Sequence, residues 1–422
     1  MAKRGWRSAN LSPDRRIFFS QGRGGVHSRE LASRLVASFG SRGGASRADL
    51  LFPLLFPPTV ISVTPTSGSA TGGTVVAIAG LNFRTGAVVT FGGLSATAVV
   101  VNGENSIACT TPAHAVGAVN VQVTNSDGQF GLLVNGYTYI QPVIVAVGGG
   151  GGVAARSLNG TTWAAKSIPT GEYIGVAWNA AADLFLALDS TGKTATSPDG
   201  DTWTLGASLP ATNNLRSIAA GLGLFVAVGT DFGGSTARIF TSPDGVNWTS
   251  RAPPAGSTAI GKVIFDGTRF VGCNGGGPVR GFLSNNGISW SGTDLDFSNW
   301  RAITGNGSFY IAFDQGSLKC AYSSNGLNYT NTAFPAAGSS DATPFGPLFC
   351  VANNTFNTGY YGSDGIHWST AVSQISAESI LAVPSIGIIV AVGSVASSSP
   401  DGINWVTRTI PAGLYKALAL KP

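Results

Sequence analysis

The sequence predicts an all-β protein: an extended, partly helical N-terminal arm, then a β-sandwich, then a seven-bladed β-propeller closed by its C-terminal strand. Three observations predict this. A short signature, S-x-(D/N)-G-x-x-(W/Y), recurs seven times between residues 157 and 405, with two copies degraded. Its aromatic end falls at Trp163, Trp203, Trp248, Trp290, Tyr329, Trp368 and Trp405, so successive spacings are 40, 45, 42, 39, 39 and 37 residues, the length of one propeller blade. Upstream, residues 58–140 alternate apolar and polar positions between Gly, Pro and Asn turns, the pattern of a small sandwich. Residues 1–57 have neither pattern and differ instead in charge.

That arm carries ten basic side chains (Lys3, Arg4, Arg7, Arg15, Arg16, Arg23, Arg29, Arg34, Arg42, Arg47) against three acidic ones (Asp14, Glu30, Asp49), a net of +7. The whole chain is +5, so the other 365 residues carry 15 basic and 17 acidic side chains, a net of −2. An isolated segment so rich in Arg, Gly and Ser buries too little apolar surface to order itself in water. Within it, Ser28 as an N-cap, Leu31, Leu35 and Phe39 on one face and Gly40 as a stop predict a short helix. The run Leu51 to Pro58, LFPLLFPP, reads as an apolar docking peptide, too short and too Pro-rich to span a membrane. Arg15-Arg16-Ile17-Phe18 is followed by Ser20, Gln21, Gly22 and Arg23 rather than by the apolar stretch of an export signal. Guanidinium groups suit acidic protein surfaces or phosphates. Outside the predicted helix and the docking peptide, only Trp6, Phe18 and Phe19 can stack on bases, so nucleic acid is the second reading for the arm and protein contact the first.

The module from 58 to 140 resembles an IPT/TIG domain, an immunoglobulin-like fold. The matching residues are Pro65, Gly68, Gly72, Gly73 and Thr74, then Gly80, Asn82 and Phe83, then Phe91 and Gly92, Cys109 and Pro112, and finally Gly117, Val121, Val123 and Gly128. The resemblance implies a spacer or interaction module rather than a catalyst.

Residues 141–422 hold the repeats. An apolar run precedes each signature (VIVAVG from Val143, LFLALD from Leu184, LFVAVG from Leu224, RFVGCN from Arg269, FYIAFD from Phe309, LFCVAN from Leu348, IIVAVG from Ile388) and another follows it (EYIGVAW from Glu172 through LYKALAL from Leu414). Each repeat therefore has strands enough for a small antiparallel sheet. Because the region opens on a VIVAVG-type run and closes on LYKALAL, the last strand is expected to complete the first blade, which removes the unpaired edges of an open stack. Within the signature, Asp or Asn bonds its own backbone two residues on, Gly accepts positive φ, and the aromatic ring can pack between neighbouring sheets. Asp199, Trp203, Asp244, Trp248, Asp364, Trp368, Asp401 and Trp405 are read as architecture of this kind. A metal site needs several oxygens converging, and here each Asp sits on a different blade.

The signature is similar to the Asp-box (BNR) repeat of sialidase-like propellers, S-x-D-x-G-x-x-W, but lacks the residue between Asp and Gly. The resemblance implies the fold. It does not carry over glycosidase chemistry, because Arg216, Arg238, Arg251, Arg269, Arg280, Arg301 and Arg408 are scattered along the chain and acidic residues are scarce, which makes a carboxylate pair hard to assemble.

Charged residues are 11% of the chain, against roughly 25% in ordinary domains, so Ser, Thr and Asn must supply solubility. Cys109, Cys273, Cys320 and Cys350 lack paired metal spacing and default to buried thiols. His27, His114 and His367 are far apart, and Gly148 to Gly152 follows a strand but opens no helix, so it is not a dinucleotide fingerprint. No cofactor and no enzyme activity are expected. The joining of the two domain types resembles minor head or tail proteins of tailed bacteriophages. That resemblance implies a virion structural protein, homo-oligomeric within the particle, bound to portal, tail or capsid subunits through the arm and displaying its propeller toward a host-surface glycan or protein. The alternatives are a secreted or surface carbohydrate-binding protein and a sialidase-like enzyme, the latter requiring Arg and carboxylate residues clustered at the propeller axis. Trp178, Trp300 and Tyr360 lie outside the signature and are the candidate ligand platforms, with core packing as the competing reading.

Overall fold

A computed structural model describes residues 6–10, 16–20 and 56–422, apart from 211–212, 232, 275–276, 296–299, 315, 355–356, 374 and 376. The chain divides into two compact units, one on the sandwich strands up to Thr138 and one comprising Gly68–Thr71 with Tyr139–Pro422. Among the described residues there is no α-helix, only a 3-10 turn at Pro384–Ile386.

In the arm, Trp6–Asn10 and Arg16–Ser20 pair as antiparallel strands, with Trp6 opposite Ser20 and Asn10 opposite Arg16. The Ile17-Phe18-Phe19 run is of the residue types that favour strands. The helix expected from Ser28 to Gly40 and the docking peptide up to Leu55 fall outside the described residues.

The sandwich has two sheets. Thr59–Thr64, Val75–Leu81, Ser106–Thr110 and Thr97–Val101 form one, in the order first, second, third, fourth as named. The other runs Ser67–Ser69, Phe130–Ile140, Gly117–Thr124, Val88–Phe91 and Leu94–Ser95. Strict alternation sets the inner faces: Val76 and Ile78 are buried while Val75, Ala77 and Ala79 between them are exposed. Ile107 of the same sheet and Val89, Phe91, Val121 and Val123 of the other are all fully buried, so the period of two in the sequence fixes what lies in the core.

The second unit consists of seven four-stranded antiparallel sheets, each with a strand of the second apolar type innermost. The innermost strands are Tyr415–Lys421 in blade 1, then Tyr173–Asn179, Asn213–Gly221, Lys262–Phe265, Trp300–Gly305, Ser339–Phe345 and Ser379–Val383 in blades 2 to 7. Each touches the next, and blade 7 returns to blade 1. Closure is made as the order of the repeats requires: Tyr415–Lys421 pairs antiparallel with Val143–Gly148, Ile144 lying opposite Leu420 and Ala146 opposite Leu418. Strands at opposite ends of the repeat region, Val143–Gly148 and Tyr415–Lys421, thus share one sheet, and the ring has no free inner edge.

Seven apolar clusters fill the seven blade interfaces. Val145, Tyr173, Phe185 and Trp203 join blades 1 and 2, while Ile144, Trp163, Val390 and Tyr415 join blades 7 and 1. Second strands such as Leu184–Asp189 are buried on both faces, which is why they read as continuous apolar runs instead of alternating ones.

Candidate functional site

The two ends of each blade use their side chains differently. At one end lies the signature turn, between the third and fourth strands. Its Ser Oγ accepts from the Gly N–H at 2.8 Å in blade 2 (Ser197 to Gly200) and blade 3 (Ser242 to Gly245), and at 2.9 Å in blade 7 (Ser399 to Gly402). Oδ1 of Asp199, Asp244, Asp364 and Asp401 each accepts two backbone N–H groups two and three residues on. Asn159, Asn286 and Asn325 do the same in blades 1, 4 and 5. The N–H groups of Asn247 and Val246 hold the Asp244 carboxyl well below the usual range. His367, through its ring and its N–H, pulls Asp364 down to about 2.

The glycine has a second role that the sequence does not announce. Gly200 has φ 71°, and a Cβ there would lie 2.5 Å from Val145 Cγ2 of blade 1. A Cβ on Gly402 of blade 7 would likewise lie 2.5 Å from Cys350 Sγ of blade 6. The turn therefore needs glycine both for its left-handed backbone and for close approach to the preceding blade. The aromatic rings finish the same interface: Trp203 and Trp405 are buried, and each indole N–H donates to its own turn's glycine carbonyl. Trp248 and Trp368 are half-buried against the clusters of blades 2 to 3 and 5 to 6.

The inner strands line an axial cavity of about 740 Å³ along their length, and at the end opposite the signature turns Ile174, Arg216 and Lys416 contribute to it. A β-bulge recurs there. The register shifts between Tyr173 and Gly175, Leu215 and Ser217, Trp300 and Ala302, and Ser339 and Asp341, and opposite Val147 and Gly148 in blade 1. The extra residue is Ile174, Arg216, Arg301, Ser340 and Lys416 respectively, and a bulge re-aims the side chain it inserts. Glu378 stands at this position in blade 7, where its N–H and Ser379 both face Val392. Gly261 stands there in blade 4. Arg216 and Arg301 are exposed and Lys416 half-buried. Among the described residues none of the three has a carboxylate within ion-pair distance, whereas Glu378 accepts from Asn354 Nδ2 at 3.1 Å.

One residue deeper, Lys262 Nζ of blade 4 lies 3.0 Å from Asp341 Oδ1 of blade 6. The pair reaches past blade 5. Asp341 is 5% exposed and also accepts from Ser379 Oγ at 2.9 Å and Ile380 N at 3.2 Å, so its buried charge is met by three donors.

The ligand-platform reading is corrected for two of its three residues. Trp300 is 1% exposed within the core of blades 4 and 5, because it takes the first inner-strand position, as Tyr173 and Tyr415 do. Tyr360 is 8% exposed, edge-on to Phe334 at 5.2 Å. Trp178 does line the axial cavity, but Phe185 packs on it at 4.6 Å and Lys421 Nζ lies over its ring at 4.4 Å. What the sequence reading missed is the bulge ring. Arg216 and Arg301 are scattered by number yet share one position in the repeat, visible when LRSIAAG, NWRAITG and LYKALAL are set side by side.

Residues 58–139 match the family model of the IPT/TIG domain. This segment is an IPT/TIG domain. No curated protein matches the sequence. The solved structure of a protein provisionally assigned as a 6-phosphogluconolactonase from Bacteroides uniformis is similar at a TM-score of 0.52 and 13% identity, covering 67% of this chain and 100% of its own. A structural-genomics protein of unknown function from Bacteroides thetaiotaomicron is 16% identical over 80% of this chain and 95% of its own, at a TM-score of 0.43. The first likeness is one of β-propeller-like fold, and at this identity of fold alone.

The IPT/TIG domain explains its own sequence marks. A Cβ on Gly80 would meet Thr59 O at 2.1 Å and Phe83 Cζ at 2.2 Å, so the buried Phe83 ring seats directly on the glycine. Cys109 lies in that core, its thiol pushed up to about 11 by burial, and burial takes Cys273, Cys320 and Cys350 of the propeller up to about 12. These thiols are protonated core groups at neutral pH. Among the described residues no three His, Cys, Asp or Glu side chains converge as a metal site, and no helix is long and apolar enough to cross a membrane. Of the anchoring residues, Arg7 and Arg16 lie in the paired arm strands, and Lys3, Arg4, Arg15, Arg23, Arg29 and Arg34 lie outside the described residues.

Proposed function

We propose that this chain is a structural subunit of a bacteriophage virion, attached to head or tail by its basic arm and displaying the propeller for binding to a host surface or to other subunits. The observation that carries the reading is charge segregation: +7 within residues 1–57 against −2 over the other 365. A cationic arm suits attachment to acidic protein surfaces, while a closed, weakly charged disc suits display. The signature turns support a display role, since their carboxylates are engaged by their own backbone rather than aimed at one point. They are read as a shortened form of the Asp-box, with the Ser and Asp bonds made in the reduced turn. The test is particle incorporation. A variant lacking residues 1–57 is expected to be soluble and folded but absent from purified particles, and incorporation at the wild-type level overturns the anchoring role.

A second reading, a carbohydrate-binding protein, is favoured by the axial cavity with Arg216, Lys416 and Trp178 on its lining. Copurification of the full chain with no particle of any kind, together with glycan capture, would select it.

A further inference from the structure

The glycine run after the first propeller strand has a partner. Gly150, Gly151 and Gly152 have φ of 76°, 94° and 98°, and consecutive N–H groups in such turns converge into a concavity that holds an anion. It holds one here. Gly150 N donates to Glu172 Oε1 and Oε2 at 3.0 and 3.2 Å, and Gly151 N donates to Oε1 at 3.1 Å. A Cβ on Gly149 would lie 2.3 Å from Glu172 Oε2 and 3.2 Å from Lys416 Nζ, so carboxylate and ammonium flank the same backbone atom.

Lys416 is the blade 1 member of the bulge ring. Blade 3 contributes Arg216 and blade 5 Arg301 at the same position, and the one carboxylate of the ring, Glu378, is bonded by Asn354. Blade 2 places the apolar Ile174 in the ring and Glu172 two residues before it. We propose that the mouth of the axial cavity is an anion-binding site for a small phosphate- or carboxylate-bearing ligand, and that Glu172 is its resting occupant. The glycine amides and Lys416 supply fixed donors, and Arg216, which lines the same cavity as Lys416, supplies a further positive charge. A ligand bearing two anionic groups can engage both sets, which a single side-chain carboxylate cannot. The site stands whether or not the chain is a particle subunit.

The test is calorimetric titration of the full chain at low salt with inorganic pyrophosphate and, separately, with trigalacturonate. Glu172→Gln is expected to bind at least one probe about tenfold tighter than wild type, the scale set by removing one charge-assisted competitor. Preference for pyrophosphate assigns the ligand to phosphates and preference for trigalacturonate to carboxylates. Adding Arg216→Gln and Lys416→Gln to Glu172→Gln is expected to abolish the gain. Glu104→Gln in the sandwich changes net charge equally and is expected to do nothing. In the wild-type chain, the amide resonances of Gly150 and Gly151 should shift on addition of the preferred probe, which needs no variant to fold. Equal gains from Glu172→Gln and Glu104→Gln, no binding by Glu172→Gln, or unmoved Gly150 and Gly151 amides would overturn the site.

Discussion

The two ends of the propeller's inner strands make opposite use of their side chains. At the signature end the same residue types recur around the ring, and the Ser and the Asp or Asn side chains are bonded within the turn that carries them: Ser Oγ by a glycine N–H, Asp or Asn Oδ1 by two further N–H groups. At the bulge end the position recurs but the residue does not, running Lys416, Ile174, Arg216, Gly261, Arg301, Ser340 and Glu378 around the ring. Repetition within the chain marks what every blade needs to fold, and variation at a repeated position marks side chains that folding leaves free. The bulge supplies the means, since an inserted residue is re-aimed without disturbing the ladder beyond it.

The comparison can be broken most forcefully at the signature end. Trp203→Ala removes a buried ring shared by blades 1 and 2 and should cost about 3–5 kcal/mol in denaturant unfolding; a loss near zero would mean that the indole is not part of the interface. Gly200→Ala should cost about 2–3 kcal/mol, combining left-handed strain of roughly 1–2 kcal/mol with displacement of Val145. Asp244→Ala, which removes two backbone acceptor bonds, should cost about 1–2 kcal/mol. Asp244→Asn should cost less than about 0.5 kcal/mol, because Asn already does the same work in blades 1, 4 and 5.

Acid sharpens the same distinction with a smaller effect. The folded-state carboxyls of Asp244 and Asp364 titrate below their unfolded value of about 3.9, so their contribution is present above that pH and is lost as pH falls toward the folded value, about 2 for Asp364. Thermal unfolding followed between neutral pH and pH about 2 should show a decline in that window, reduced in Asp364→Asn. An unchanged decline in that variant would remove Asp364 from the account.

The fold was legible because its evidence is periodic. Seven apolar runs, seven signatures and the order in which the series opens and closes lead directly to the pairing of Val143–Gly148 with Tyr415–Lys421. The candidate site was less so. Trp300 and Tyr360 stand outside the signature like free aromatics, yet burial depends on which face of a strand meets the next blade, and periodicity of the repeat does not state that. A bulge likewise has no residue signature, being a mismatch of two backbones, so Arg216 and Arg301 look scattered along the chain until LRSIAAG, NWRAITG and LYKALAL are set side by side. Gly148 to Gly152 was recognisable as unusual, but its partner Glu172 lies a blade away.

The central claim is that the bulge-end cations serve recognition and contribute nothing to folding. It is tested most directly by denaturant unfolding of the triple variant Arg216→Gln, Arg301→Gln, Lys416→Gln beside the single variant Asp244→Ala. The account predicts that the triple variant stays within about 0.5 kcal/mol of wild type while Asp244→Ala falls by more than that. A triple variant as destabilised as Asp244→Ala, or more so, would contradict it.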